Sequence, residues 1–183
     1  MKLLIASDLH GSTPCCEALL SRFEAEGADR LLFLGDLLYH GPRNDLPRDY
    51  APKRVIEMLN NMREQLLCIR GNCDCEVDQM VLQFPIMADY AALWLNGHMV
   101  WATHGHVYNM DNHPPFQKGD ILLHGHTHIP AAQQFEDGYY YINPGSVSIP
   151  KAGSRNSYLV LEGSTFTLKA IEDGSVISSF TVE

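Results

Sequence analysis

Cysteine and long apolar runs, which mark secreted and membrane proteins, are scarce in this sequence. Its five cysteines are an odd number and form no CxxC pair, which argues against a disulfide framework and favours reduced thiols. No apolar run approaches membrane-spanning length, and the run from 3 to 6 is too short for the core of a signal peptide. We therefore expect a cytoplasmic protein that does not associate with membranes.

Positive charge is scarce as well. The chain has 13 basic residues against 22 acidic ones, a net charge of −9, and no cluster of Lys and Arg that would contact a series of phosphates. We therefore expect no extended nucleic acid duplex as a partner. The sequence also has no repeat, low-complexity tract or flexible linker, so its 183 residues are predicted to form a single domain spanning residues 1–183.

The order of predicted elements indicates an α/β sandwich. The first half alternates strands and helices, which implies a parallel sheet with right-handed crossovers. Its strands are predicted at 2–7, 30–34 and 65–70, and its helices at 13–26, capped by Thr13, and 52–62. The second half contains hairpin turns at Asn96-Gly97 and Gly163-Ser164 and is predicted to be mainly antiparallel. We expect two mixed β-sheets packed face to face and flanked by helices.

Five short apolar runs end in polar motifs made of metal-ligand residue types. Carboxylates, imidazoles and one amide carbonyl suit hard to borderline divalent ions. The ends of parallel strands are also where open α/β sheets bind their substrates. The five motifs are Asp8-Leu9-His10, Gly35-Asp36, Gly71-Asn72-Cys73-Asp74, Thr103-His104-Gly105-His106 and Gly125-His126-Thr127-His128.

The same residues predict a reaction. A carboxylate such as Asp36 has two oxygens and can bridge two cations, and Asn72 can add a neutral carbonyl oxygen. Two ions about 3.5–4 Å apart can hold an activated hydroxide and clamp the attacking and leaving oxygens at phosphorus. Hydrolysis of a phosphate ester is therefore the predicted chemistry.

The motifs resemble those of the calcineurin-like metallophosphoesterases, which read D-x-H, G-D, G-N-H-[DE], a lone His and G-H-x-H. The loop His40–Asn44, the stretch Asn143–Ser146 and the Cys73 variant of the third motif are similar to small bacterial phosphodiesterases of the YfcE type. The resemblance implies a metallophosphoesterase fold and a dimer or tetramer. It also implies two divalent ions, Mn²⁺ first, with Ni²⁺, Zn²⁺, Fe²⁺, Co²⁺ or Mg²⁺ as alternatives.

The resemblance further implies a role for each motif residue. The first metal would be held by Asp8, His10, Asp36 and His128, and the second by Asp36, Asn72, His104 and His126. Catalytic roles would belong to Asp36, Asn72, Cys73 and Asp74.

Cys73 departs from the family pattern, which has His between the Asn and the acidic residue. A thiol is a weak hydrogen-bond donor, and a thiolate would repel phosphate. General acid catalysis is worth about 10²–10⁴-fold, so we expect a preference for small phosphodiesters with acidic leaving groups, aryl esters included, over alkyl monoesters.

Other polar residues near the motifs have two readings. His40 and Arg43 either contact the substrate or belong to a solvated loop, and His106 either orients a ligand or phosphate or is a polar loop residue. Asp74 either hydrogen-bonds near the metals or caps the following helix, the latter being favoured. His124 is predicted to be a strand histidine with its hydrogen bonds satisfied.

Two alternative functions compete with the phosphodiesterase prediction. An adaptor subunit of the endosomal retromer coat resembles the same small enzymes but works by binding partners, so the chain is alternatively a non-catalytic metal-binding scaffold. The complete ligand set argues against this, because a scaffold can lose imidazoles without cost. A thiol-based protein using Cys73 and Cys75 ranks last, because two cysteines are too few for a four-thiolate site.

Overall fold

Three short apolar runs of the first half form parallel strands. The computed structural model describes residues 1–183. It contains β1 (Lys2–Ala6), β2 (Arg30–Phe33) and β3 (Leu66–Cys68), linked through α1 (Thr13–Glu26) and α2 (Pro52–Asn61). β2 lies between β1 and β3 and pairs parallel with both. The predicted β-α-β-α-β order is therefore confirmed.

Helix α1 begins and ends where proline and glycine predict. Pro14 lies in its first turn, where the missing N–H costs nothing, and Gly27 ends it in the left-handed region at φ 61°. The prediction that Thr13 caps the helix was wrong by one residue. Ser12 occupies the cap position, but its hydroxyl donates to the Arg48 carbonyl at 2.9 Å and not to the helix.

The rest of the chain adds one short helix and eight strands. These are α3 (Glu76–Val81), β4 (Tyr90–Leu95), β5 (His98–Thr103), β6 (Ile121–His124), β7 (Ala131–Gln134), β8 (Tyr140–Asn143), β9 (Ser157–Glu162), β10 (Thr165–Ala170) and β11 (Val176–Thr181). The first sheet has the order β11-β10-β9-β1-β2-β3, and the second has the order β4-β5-β6-β8-β7. The two mixed sheets predicted from the sequence are confirmed.

The second half is mainly antiparallel, as predicted, but it also contains two parallel pairings. Its hairpins pair antiparallel as expected, but β5, β6 and β8 run parallel. A long connection returns the chain to the other end of the sheet between β5 and β6, and β7, which runs antiparallel to β8, returns it between β6 and β8. As a consequence, the motifs that follow β5 and β6 leave the sheet at one edge.

The hydrophobic core has two layers. One lies between the sheets, where Ile5 and Leu32 of the first sheet join Ala102 and Leu123 of the second. The other lies between the first sheet and helices α1 and α2. The prediction of helices flanking the sandwich holds for the first sheet only, because the chain forms no helix after Val81. None of the helices is both long and apolar enough to cross a bilayer.

Candidate metal centre

The polar motifs leave the strands through strained backbone. Asp8, His10, Asp36, His126 and His128 all have positive φ, between 51° and 65°. This left-handed region is unfavourable for residues other than glycine, and residues held in it recur at functional sites. Backbone bonds hold the turns together, since the N–H of Asp8 donates to Gly35 and that of His10 donates to Asp36, at 3.1 and 2.9 Å.

Two glycines allow the turns to approach each other. A Cβ atom at Gly71 would lie 2.0 Å from Oδ1 of Asp36, and one at Gly125 would lie 1.9 Å from the hydroxyl of Ser7. No larger residue fits at either position without moving a motif. The glycines of the third and fifth motifs therefore serve close packing around Asp36 and Asp8.

Three buried ligand-type side chains form what we call the deep cluster: Asp8, His10 and His128. Oδ1 of Asp8 lies 3.2 Å from Nε2 of His128 and 3.6 Å from Nε2 of His10. The two Nε2 atoms are 3.4 Å apart. Ligands at right angles around an ion at about 2.1 Å would be separated by about 3 Å, so these three atoms match one coordination sphere.

A second group, which we call the open cluster, consists of Asn72, His104 and His126. Nε2 of His104 lies 3.1 Å from Oδ1 of Asn72 and 3.1 Å from Nδ1 of His126. Oδ2 of Asp36 lies between the clusters, 3.5 Å from Nε2 of His104 and 3.8 Å from Nε2 of His10. The structure thus brings together all seven metal-ligand candidates, with Asp36 in the middle.

Backbone carbonyls orient three of the four imidazoles. Nδ1 of His10, His104 and His128 lies 2.6–2.7 Å from the carbonyls of Tyr39, Leu34 and Ile149. Because a carbonyl only accepts, each Nδ1 carries a proton, so Nε2 is the nitrogen that can offer its lone pair to an ion. This arrangement of a second hydrogen bond behind each ligand is typical of metal-binding histidines.

The charges and protonation states also suit divalent ions. Burial alone would raise the pKa of Asp8, yet its contacts with His10 and His128 hold that pKa well below the usual value. Burial and the neighbouring His104 lower the pKa of His126 to about 4, so His126 is neutral at pH 7. Oδ2 of Asp8 accepts a hydrogen bond from the backbone N–H of His126, whereas the buried Oδ1 of Asp8 has no hydrogen-bond donor. An ionised carboxylate oxygen without a donor is costly unless a cation meets it.

Asp74 does not cap helix α3, contrary to the favoured prediction. Its two oxygens accept the backbone N–H groups of Asp36, Leu37 and Gly71 at 2.7–2.9 Å. Cys75 takes the cap position, with a reciprocal bond to Asp78. The carboxylate of Asp74 therefore holds the second and third motifs together.

A cavity of about 420 Å³ opens beside the clusters, and we call it the cationic cavity. It contains Arg43 as predicted and also Lys151, which sequence reasoning missed. The only sequence signal for Lys151 is its position five residues after Ser146. The cavity is lined by Asp36, Gly41, Pro42, Arg43, Asn44, Asn72, Cys73, His126, Thr127, His128 and Lys151.

Cys73 faces the cationic cavity as a neutral thiol. Burial and the carboxylate of Asp36 raise the pKa of Cys73 far above its ordinary value. This shift favours the protonated thiol at pH 7. Its Sγ atom accepts a hydrogen bond from the Asn72 amide at 3.2 Å.

His40 does not reach this cavity, contrary to the substrate-contact reading. Its ring packs edge-on against Tyr39 and Tyr50, with centroids 4.8 and 5.4 Å away. His106 lies on the opposite side of Asn72, with its ring centroid 5.4 Å from that of His104. His124 was predicted to have its hydrogen bonds satisfied, but its buried Nε2 has no partner.

Side chains of the stretch from Asn143 to Ser148 hold the backbone next to the deep cluster. Ser146 and Ser148 both donate their hydroxyl groups to the carbonyl of Asp8, at 2.8 and 2.9 Å. The amide of Asn143 donates to the carbonyl of Gly125 at 3.0 Å. These side chains hold the first and fifth motifs in register, although none of them faces the metal ligands.

Known proteins are similar to this chain in sequence and in fold. Residues 1–165 match the calcineurin-like phosphoesterase superfamily domain. The chain is 45% identical over 182 residues to phosphodiesterase YfcE of Escherichia coli K12, covering 100% of this chain and 98% of that protein. The solved structure of YfcE, described as a phosphoesterase, has a TM-score of 0.96 and covers 100% of both chains.

More distant proteins share part of this likeness. The probable metallophosphoesterase YsnB of Bacillus subtilis is 26% identical over 168 residues, which are 88% of this chain and 83% of that protein. Vps29 of Entamoeba histolytica, solved with zinc, has a TM-score of 0.60 at 18% identity and full coverage, a likeness in fold alone. Because the family match spans most of the chain and the likeness to YfcE spans all of it, the chain belongs to the calcineurin-like phosphoesterase superfamily and is a metallophosphoesterase.

Proposed function

We propose that this metallophosphoesterase hydrolyses small phosphodiesters whose leaving groups need little protonation, aryl esters among them. The observation that carries the proposal is the pair of ligand clusters sharing Asp36 at the wall of a cavity that also contains Arg43 and Lys151. The positive side chains of Arg43 and Lys151 attract a phosphoryl group toward the metal-ligand candidates. The name of the relative YfcE, a phosphodiesterase, supports the same substrate class.

We assign one divalent ion to Asp8, His10, Asp36 and His128 and a second to Asp36, Asn72, His104 and His126, with Mn²⁺ as the first choice. When bound, such ions act as Lewis acids that lower the pKa of a water nucleophile and neutralise charge on the phosphoryl group.

The protein's own groups orient the substrate and limit its leaving group. Arg43 can bind phosphoryl oxygens with two parallel N–H groups, and Lys151 adds a second positive charge. Cys73 stands where a general acid would act, and a neutral thiol donates weakly. An alkoxide would therefore have to leave without receiving a proton, which is slow because it is strongly basic. An aryl oxide is a weaker base and leaves readily without one. This is why we propose diesters with aryl leaving groups over alkyl monoesters.

The alternative of a non-catalytic scaffold fits less well. A scaffold has no need for seven converging ligand side chains, or for the backbone strain that five of them carry. The proposed homo-oligomer and the cytoplasmic location stay predictions from the sequence and from the family resemblance.

An activity screen tests the proposal. We expect Mn²⁺-reconstituted protein to cleave bis(p-nitrophenyl) phosphate, to lose this activity in EDTA and to regain it when Mn²⁺ is restored. Glycerol 2-phosphate, an alkyl monoester, should be cleaved more slowly. Faster cleavage of the alkyl monoester would refute the leaving-group argument. Metal-loaded protein that cleaves no ester would favour the scaffold.

A further inference from the structure

We propose that a second cavity, on the side of Asn72 opposite the cationic cavity, binds a nucleoside arm of the substrate. We call this cavity of about 440 Å³ the tyrosine groove. The inference rests on the proposed function, because it names a substituent of the phosphodiester cleaved at that site. The side chains that matter here are those of Arg70, Asn72, Asp89, Tyr90, His106 and Tyr108.

The groove is held against the open cluster by strand pairing. Tyr90 begins β4 and lies opposite Thr103, the last residue of β5, directly before His104. Asn72 lines both cavities, and the ring of His106 lies 6.4 Å from that of His126. A phosphodiester carries two substituents on a tetrahedral phosphorus. With phosphorus at the clusters, the two cavities offer room for one substituent each.

The groove presents a supported aromatic surface. The rings of Tyr90 and Tyr108 are perpendicular, with centroids 6.0 Å apart, and Trp101 packs against Tyr90 at 5.8 Å. Tyr90 is nevertheless 48% exposed. An exposed ring held in place by other rings is what single nucleobases stack on, because every base has a π-face.

The charges of the groove favour a neutral arm over a further phosphate. The groove is lined by one basic residue, Arg70, and one acidic residue, Asp89, whereas the cationic cavity is lined by Arg43 and Lys151 and by one acidic residue, the metal-ligand candidate Asp36. Nε of Arg70 donates to the carbonyl of Asp74 at 3.3 Å, which fixes the side chain while its terminal nitrogens have no partner in the protein. A polar, uncharged and aromatic substituent with hydrogen-bond acceptors fits this set, and a nucleoside has all of these properties.

Two substrates with the same leaving group isolate the groove. Thymidine 5′-(p-nitrophenyl phosphate) and methyl p-nitrophenyl phosphate differ only in the arm that stays on phosphorus. We expect kcat/KM for the thymidine ester to exceed that for the methyl ester by about tenfold or more. Tyr90→Ala should reduce this ratio by about tenfold, and Tyr90→Phe should keep it within about twofold, because the phenyl ring still stacks.

Trp94→Ala is the matched control. Trp94 lies on the same strand and is 68% exposed, but it is outside the groove, so we expect its removal to leave the ratio unchanged. An equal change in both alanine variants, or an unchanged ratio in Tyr90→Ala, would overturn the proposal. Using a ratio also separates a binding role from partial misfolding, which lowers the turnover of both esters together.

Binding separates this proposal from the proposed function. In titration calorimetry of Mn²⁺-reconstituted protein, thymidine 5′-monophosphate should bind about tenfold more weakly to Tyr90→Ala than to the unaltered chain. The affinity for methyl phosphate should change far less. If neither ester is cleaved but this difference is found, the groove stands and the phosphodiesterase assignment fails. If both esters are cleaved equally well and thymidine 5′-monophosphate binds no better than methyl phosphate, the groove assignment fails and the enzyme stands.

Discussion

The deep and open clusters each contain two histidines but differ in burial, although His104 of the open cluster is as buried as the deep cluster. Asp8, His10 and His128 are at most 3% exposed, and backbone groups hold both of their imidazoles. In the open cluster, Asn72 is exposed and His126 is half-buried. A buried and prearranged ligand set binds an ion with little reorganisation, whereas an exposed set leaves room for substrate. We infer that the deep cluster retains its ion and that chemistry occurs on the open side.

The largest effect is expected where the clusters meet. Asp36→Ala removes the oxygen between them, so neither ligand set stays complete. Lewis-acid stabilisation is worth several kcal/mol, so kcat on bis(p-nitrophenyl) phosphate should fall by more than about 1,000-fold. Metal content after dialysis should fall as well.

Asp137→Ala is the control for this substitution, because Asp137 is an exposed carboxylate in a turn outside both cavities. We expect it to retain activity and metal content. An Asp36→Ala variant that keeps its turnover would exclude the shared-carboxylate mechanism.

The comparison of clusters is tested most directly by two histidine substitutions. His128→Ala should raise the Kd of the tightest metal ion by more than about 100-fold, because losing a ligand costs more than losing its hydrogen-bond partner. His126→Ala should leave that ion bound and weaken only the second. Metal analysis after stepwise dialysis measures both. Equal loss of metal from the two variants would show that burial does not rank the sites.

Most of the site followed from the sequence because its ligands come from motifs at strand ends. A strand before each motif was enough to predict that the motifs meet at one edge of the sheet, and the family resemblance implied which residues would share an ion. Lys151 could not be predicted, because it reaches the cavity from a distant loop without a motif. The two readings of His40 could not be separated, because the sequence does not reveal that Tyr39 and Tyr50 pack around its ring.

The fold was predictable to a similar degree, and for a local reason. Hairpin turns such as Asn96-Gly97 specify their own pairing, so β4 and β5 were placed correctly. The parallel pairing of β6 was not apparent, because it depends on connections with no regular pattern of their own. The favoured capping role of Asp74 was wrong because the sequence does not reveal that the backbone N–H groups of Asp36 and Leu37 reach its carboxylate.

A smaller effect is expected at Cys73, which faces the cationic cavity. Cys73→His places a stronger donor at the cationic cavity and should raise the ratio of monoester to diester hydrolysis by about 100-fold, the lower end of general acid catalysis. Cys75→Ser is the control, because a serine preserves the cap of α3 and should leave the ratio unchanged. A substrate ratio that Cys73→His does not change would show that Cys73 does not set the leaving-group preference.

The smallest effect tests what prearranges the deep cluster. The hydroxyl of Ser146 donates to the carbonyl of Asp8 at 2.8 Å and accepts the Ile149 N–H at 2.9 Å. Ser146→Ala leaves both groups less well satisfied, so the free energy of unfolding should fall by about 1–3 kcal/mol in chemical denaturation. Because the carbonyl of Asp8 then loses one of its two hydroxyl donors, the tightest ion should bind about tenfold more weakly.

Ser154→Ala separates this support from a general loss of a hydroxyl group. Its hydroxyl also donates to a backbone carbonyl, that of Lys151, at 2.7 Å, but in an exposed turn. Water replaces such a bond, so unfolding should change by no more than about 0.5 kcal/mol and metal affinity should stay the same. If Ser146→Ala loses stability but keeps its metal affinity, the ligands of the deep cluster are held by their own turns. If it loses both, the stretch from Asn143 to Ser148 is part of what makes the cluster rigid.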